Sequence, residues 1–331
     1  MSFFRDLSIV SARRPLVATV LASALLAACG GGEQEETFQP TRIVAVGDEN
    51  TLINPDGSQY SVNNVSVSAT TNPNGVPCIN NPIWVQYVAA DYGLSFGECR
   101  GAATDATRKY AVMLAQVGQT VDQAAAALAG VSPALNQNDL VTLMVGSHDL
   151  LAIVGTNKTP NAADREAMIT AAEKRGEALG DVVLNTIATG ARILITTVPY
   201  LNTAPVVVAE GYDANLLYEM STAFNDGLNA RMSLVPGGGG RSGAIVEVDQ
   251  LVNSYYLNSG AAYNAITNRV AAACQTAGAP TPDADLDTCK TTDVTTASPI
   301  YYLWAGRMQY GTITHGLLGQ TALQRIRANP L

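Results

Sequence analysis

Apolar runs alternate with amphipathic stretches along most of this chain. Four short runs are apolar at nearly every position: residues 42–46 within "TRIVAVGDENTL", 139–146 ("DLVTLMVG"), 191–199 ("ARILITTVP") and 243–249 ("GAIVEVD"). Runs of this kind, bounded by turn residues, fit strands buried on both faces, as in a parallel sheet. Helical patterns lie between them. Residues 81–93 place Ile83, Val85, Tyr87, Val88 and Tyr92 around a helix that stops at Gly93, and residues 120–130 are an Ala-rich helix ended by Gly130. Residues 161–188 and roughly 213–233 predict two long amphipathic helices, and the closing "THGLLGQTALQRIRA" carries Leu317, Leu318, Leu323 and Ile326 along one side. In "NPDGSQYSVNN", turn residues precede Tyr60 and Val62, which alternate with polar neighbours and predict a small hairpin. Strands alternating with helices imply an α/β fold of three layers, α/β/α, around a central parallel sheet with right-handed crossovers. No internal repeat is present, and residues 41–331 read as one domain.

The first 28 residues stand apart from this pattern. Arg5, Arg13 and Arg14 make a positive start, and "LVATVLASALLAA" is an apolar segment too short for a comfortable bilayer span. It runs into "LAAC", ending at Cys29 and followed by "GGGEQEET". Small residues before a single cysteine resemble a bacterial lipobox. The resemblance implies a signal peptide over 1–28, cleavage before Cys29, diacylglycerol on its thiol and a polar tether over 29–40, so that the partner is a membrane reached through the lipid. Gly30, rather than Asp, suits sorting to an outer membrane. Elsewhere no stretch of about 18 uninterrupted apolar residues occurs.

Composition narrows the partners. Of 331 residues, 47% are hydrophobic and 14% charged, enough for a globular core. The net charge is −9, and an acidic surface repels phosphate backbones, so no nucleic acid is expected. The five cysteines are Cys29, Cys78, Cys99, Cys274 and Cys289. With Cys29 lipidated, four remain, an even number suited to an oxidising compartment. Of the three possible connectivities we expect the local pairs, Cys78 with Cys99 and Cys274 with Cys289, because each pair shares one loop-rich stretch. Loops of that length correspond to about 3 kcal/mol each in the chain-entropy model. The only histidines are His148 and His315, and no Cys-x-x-Cys occurs, so neither a zinc site nor another cofactor is expected.

In open parallel sheets, sites form at the carboxyl ends of strands. Three stretches fall there: "GDEN" after the first strand, "GSHDL" after the second, and "LWAGRMQYGTITHGLL" before the last helix. Together with "IWVQYVAADYGL", "VTLMVGSHDLL" and "LITTVPYLNTAP", they resemble the SGNH, or GDSL-type, hydrolase family over residues 42–325. That family carries Gly-Asp-Ser, Gly-x-Asn-Asp and Trp-Asp-x-x-His blocks in this order. The resemblance implies a flavodoxin-like sheet and ester hydrolysis, but its functional residues are substituted here. Glu49 stands at the nucleophile position, His148 at the oxyanion-hole Asn, Ala305 at the triad Asp and Met308 at the triad His. "KYAVMLAQVG" puts Met113 or Leu114 at the glycine of the second block, with Gly118 available on a shifted register. Gly47, Asp48, Gly146 and Asp149 match the family and suit framework roles.

Glu49 has no hydroxyl, and attack by its carboxylate on an ester would give an anhydride with no base placed to direct water onto it. His315 as a substitute base would want an acid at Thr312, so His315 is expected as a helix-surface or cap histidine. Ser147 adjoins His148 but should point away from it. Asp48, Glu49, His148 and Asp149 are the candidate site if the changed positions serve a new purpose. They form either a cation site or a Glu49–His148 ion pair closing the former active site, with Asp48 and Asp149 bonded to backbone. "PGGGGRSG" follows a helix and precedes a strand, the wrong order for a phosphate loop, and is expected to be a turn. The functional expectation is a membrane-anchored, catalytically degenerate hydrolase-like lipoprotein that acts by binding or structurally. The alternatives are an esterase or lipase-like enzyme with a non-standard site, and a metal-dependent hydrolase at Glu49 and His148.

Overall fold

Strand order defines the architecture. The computed structural model describes residues 38–64, 80–99, 110–235, 242–258, 265–274, 283–291 and 301–328, all within the unit Phe38–Leu331. The expected signal peptide, Cys29, most of the tether, Cys78 and most of the "PGGGGRSG" turn lie outside the described residues. Strands β1 (Arg42–Gly47), β2 (Ser95–Phe96), β3 (Tyr110–Met113), β4 (Asp139–Met144), β5 (Arg192–Thr196) and β6 (Gly243–Val246) form one sheet in the order β2-β3-β1-β4-β5-β6. Every pairing in it is parallel. The sequence of neighbours β3-β1-β4-β5-β6 is the doubly wound, flavodoxin-like order, which places a topological switch point beside β1.

The long apolar runs form the middle of the sheet because parallel strands covered on both faces meet no water. All six residues of β4 are buried, as are Ile43 to Gly47 of β1 and the last four residues of β5. Helices cover the two faces. On one, α1 (Trp84–Asp91) packs against the C-terminal helix. On the other lie α2 (Val121–Ala129), α3 (Ser147–Val154) and α4 (Ala162–Ala188), and after the short α5 (Val206–Glu210) comes α6 (Ala214–Met232), in long mutual contact with α4. Local chemistry starts the two long helices. The Asn161 side chain accepts from Asp164 N–H at the head of α4, and Asp213 accepts from Asn215 and Leu216 N–H at the head of α6. The chain continues through α7 (Val248–Leu257) and closes with α8 (Thr312–Ala328). Arg325 of α8 donates through Nε to the Ile245 carbonyl of β6, the last strand of the sheet order, at 2.8 Å.

A smaller parallel pair, β7 (Asn268–Ala272) and β8 (Tyr302–Trp304), stands beside the main sheet. Near it Tyr60, Val62, Ala273, Cys274, Leu286, Cys289 and Ala305 make a second, smaller core. Cys274 and Cys289 are disulfide-bonded within it, as expected. Cys99 is also disulfide-bonded, but its expected partner Cys78 lies outside the described residues.

Three expectations need correction. The stretch 243–249 is not strand throughout: β6 stops at Val246, and α7 starts at Val248. The hairpin at Tyr60 and Val62 is reduced to one antiparallel bridge, Ile53 with Gln59, around a turn in which Asn54 N–H donates to Ser58 O at 2.9 Å. Tyr60 and Val62 pack into the second core instead of pairing across a hairpin. The last helix starts at Thr312, with consequences for His315 described below.

Candidate functional site

The segment after β1 is bent by its own hydrogen bonds. Gly47 N–H donates to Gln119 Oε1 at 2.8 Å, and Gly47 O accepts from Gln116 N–H at 2.9 Å. Asp48 N–H donates to Met144 O at 3.0 Å, and Thr51 N–H closes a turn onto Asp48 O. Asn50 N–H donates to Asp48 Oδ1 at 3.0 Å. The Asn50 amide then reaches the segment after β8, donating to Met308 O at 3.3 Å and accepting Tyr310 N–H at 2.8 Å. Two loops 260 residues apart are thereby stitched together, with Glu49 between them.

Glu49 is 2% exposed, and its carboxylate meets three donors. Oε1 accepts from His148 Nε2 and from Gln309 Nε2, each at 2.8 Å. Oε2 accepts from Gly118 N–H at 2.9 Å. Each donor is braced from elsewhere. Gly118 sits at φ +68° in a turn closed by Gln119 N–H on Gln116 O, a left-handed conformation that glycine adopts at little cost. Gln309 is fully buried and accepts Met308 N–H at its own Oε1, 3.2 Å away, which turns its NH2 toward Glu49. His148 lies in the first turn of α3 with 24% of its side chain exposed, so it forms the solvent side of the cluster. A carboxylate only accepts, so the Nε2 facing Glu49 carries the proton.

Two adjacent carboxyls are pushed apart. Burial pushes Glu49 up, but the hydrogen bond and charge of His148, with the Gly118 N–H, outweigh it and hold the carboxyl below its ordinary value. Burial, together with the negative charge of Glu49, pushes Asp48 up to about 7, against the pull of His148 and the hydrogen bonds of Asn50. Glu49 is the charged member of the pair, and Asp48 keeps a proton below neutral pH.

The other candidate positions fall elsewhere. Asp149 is turned away: it accepts Val121 N–H at 3.0 Å and Arg175 Nε and Nη2 at 3.0 and 2.6 Å, clamping the heads of α2 and α3 to α4. Asp48, Glu49, His148 and Asp149 therefore do not close around one point. Among the described residues no group of three His, Cys, Asp or Glu side chains is placed to hold a metal ion. Ala305 is fully buried in the second core and Met308 in the main one, and both serve packing. Ser147 starts α3 and is buried.

His315 was expected at the helix surface or a cap. It is 1% exposed, set edge-on to Tyr310 with ring centroids 5.8 Å apart, because α8 starts early enough to turn its first residues inward. Burial pushes its imidazole down to about 3. Among the described residues neither ring nitrogen finds a hydrogen-bond partner.

Sequence reasoning missed Gln309 and Asn50. Motif alignment drew attention to Met308, yet the group that touches Glu49 is its polar neighbour. Of the residues named for the second block, Gly118 is the one whose N–H bonds Glu49.

No family model matches the chain, and no curated protein matches it. Among solved structures it is similar to a member of the lipolytic G-D-S-L family from Veillonella parvula, at 11% identity over 86% of this chain and 96% of that one, TM-score 0.42. It is similar to a catalytic mutant of an acetylxylan esterase from Geobacillus stearothermophilus, at 12% identity over 86% and 93%, TM-score 0.44. A phospholipase A1 from Streptomyces albidoflavus aligns at 17% identity over 65% and 82%, TM-score 0.38. The fold rests on the strand order and parallel pairing above, not on these alignments.

Proposed function

We propose that the chain is an SGNH-hydrolase-like lipoprotein, anchored through lipid on Cys29 at an outer membrane, whose ester-hydrolysing site is occupied by its own Glu49, and that it acts by binding or as a structural surface protein. The observation that carries this reading is the Glu49 carboxylate held by Gly118, His148 and Gln309. Acyl transfer needs a nucleophile, a base, a group that orients the base, and donors aimed at a developing oxyanion. The groups that meet at residue 49 carry no hydroxyl or thiol. The positions that would supply base and orienter hold Met308 and Ala305, both in apolar packing. The donors that would serve an oxyanion, the Gly118 N–H and the side chain at 148, already bond a permanent anion. An ester carbonyl entering the site would have to displace a buried, triply bonded carboxylate. Loss of triad members alone leaves a residual rate owed to oxyanion donors and binding, and here those donors are already engaged by Glu49.

The test is direct. The purified protein is expected to resist a fluorophosphonate probe, which requires an activated serine, and to leave short-chain p-nitrophenyl esters at the background rate. Turnover well above background that disappears on Glu49→Ala or His148→Ala would replace this reading with that of an esterase using a non-standard site.

A further inference from the structure

We infer that the Gly118 N–H, His148 Nε2 and Gln309 Nε2 form a carboxylate-binding cradle, which this chain fills with its own side chain and which accepts a small free monocarboxylate once the Glu49 side chain is removed. The inference rests on the reading of Glu49 as a built-in occupant. All three groups are donors, and they divide over two oxygens, two on Oε1 and one on Oε2, at 2.8 to 2.9 Å. That is the pattern of a carboxylate receptor, since charge-assisted N–H···O bonds are the strong ones. None of the three owes its position to Glu49 alone. Gly118 is held by its turn, Gln309 by Met308 N–H, and His148 by α3. Donors fixed before a ligand arrives lose little freedom when it binds. Losing the Glu49 side chain takes their shared acceptor from the buried Gln309 amide and from the part-buried Gly118 N–H and His148 ring, a cost that a free carboxylate relieves. Formate has the size of the Glu49 head group, and acetate adds one methyl along the path of the missing chain. A spherical anion of the same charge does not present two oxygens to two sets of donors.

The experiment is chemical rescue of the full-length Glu49→Gly protein. Its thermal unfolding is followed in sodium formate, acetate and chloride at equal ionic strength. The variant is expected to be less stable than the parent in chloride and to recover stability in formate and acetate. At ten times the dissociation constant the folding equilibrium constant should rise about 11-fold by mass action. The parent, already occupied, should show no difference between the salts, and adding His148→Ala and Gln309→Ala to Glu49→Gly should abolish the rescue. A folded Glu49→Gly protein that responds equally to formate and chloride overturns the cradle, as does a response that survives loss of both side-chain donors. If the variant does not fold in chloride, refolding in formate decides: recovery supports the cradle, and no recovery in either salt counts against it. The two readings fail separately. Ester turnover by the parent would sink the proposed function and leave formate binding intact, whereas a formate-blind variant would sink the cradle and leave the parent's inertness standing.

Discussion

Replacing His315 with leucine should change how stability depends on pH far more than it changes stability at neutral pH. The imidazole is fully buried against Tyr310, and burial pushes it from its ordinary value of 6.5 down to about 3. Above pH 6.5 it is neutral folded or unfolded and contributes no pH dependence. Below 6.5 the unfolded chain takes up a proton that the folded chain refuses until about pH 3, so stability falls with pH by about 1.4 kcal/mol per unit over that window. Asp48 works in the opposite direction. Its carboxyl is raised from 3.8 to about 7, so the folded chain holds a proton the unfolded chain has lost, and stability falls as pH rises through that range. From about pH 4 to 6.5 the two slopes oppose each other, and the parent should show a nearly flat contribution from the pair. His315→Leu removes one slope and exposes the other. Urea unfolding at pH 7.5, 6, 5 and 4.5, read by tryptophan fluorescence, gives the stability difference between variant and parent at each pH. That difference cancels packing costs and Asp48, and should shift in favour of the variant by roughly 2 kcal/mol between pH 7.5 and pH 5. A difference independent of pH would mean that the folded chain protonates His315 as easily as the unfolded one, and the account of its burial would be wrong.

Two further substitutions test other parts of the molecule. Arg175→Ala should destabilise by about 2 to 3 kcal/mol in a denaturant titration, because Asp149 stays buried, still accepting Val121 N–H, while its partly exposed guanidinium partner is lost. A loss under about 0.5 kcal/mol would show that the clamp between α3 and α4 carries nothing. Cys29→Ser should move the protein from the membrane fraction to the soluble one, and an unchanged membrane fraction would refute the anchor.

Elements buried on both faces were the easiest to read from sequence. The runs around Val44, Val141 and Ile193 are apolar because strands in the middle of a parallel sheet have no polar face, and the parallel sheet they predict is observed, whereas its flavodoxin-like order was implied only by the family resemblance. The second half of the chain was harder. Val248–Leu257 follows β6 after a single residue, so its polar positions read as strand and loop rather than helix. His315 was misplaced because Thr312 and Thr314, at the head of α8, gave no apolar signal. At the site, Glu49 and His148 stood out as departures from a motif, and their 2.8 Å contact joins residues whose partnership no local pattern encodes. Gln309 and Gly118 were hidden for different reasons. One contributes an ordinary amide that matters only through where the 305–310 loop sets it, and the other contributes no side chain at all.

The donors around residue 49 also bear on evolutionary reversibility. An enzyme that stabilises a fleeting negative charge must keep polar groups unsatisfied between turnovers, and folding carries that cost. Here the charge is permanent, so the same groups help hold the chain together, tying the segments after β1, β3, β4 and β8 to one carboxylate. A substitution that removed the Glu49 carboxylate would lose stability at once, because three donors would lose their common acceptor. Selection for a folded protein is therefore enough to keep an acid at position 49, whatever else the site does.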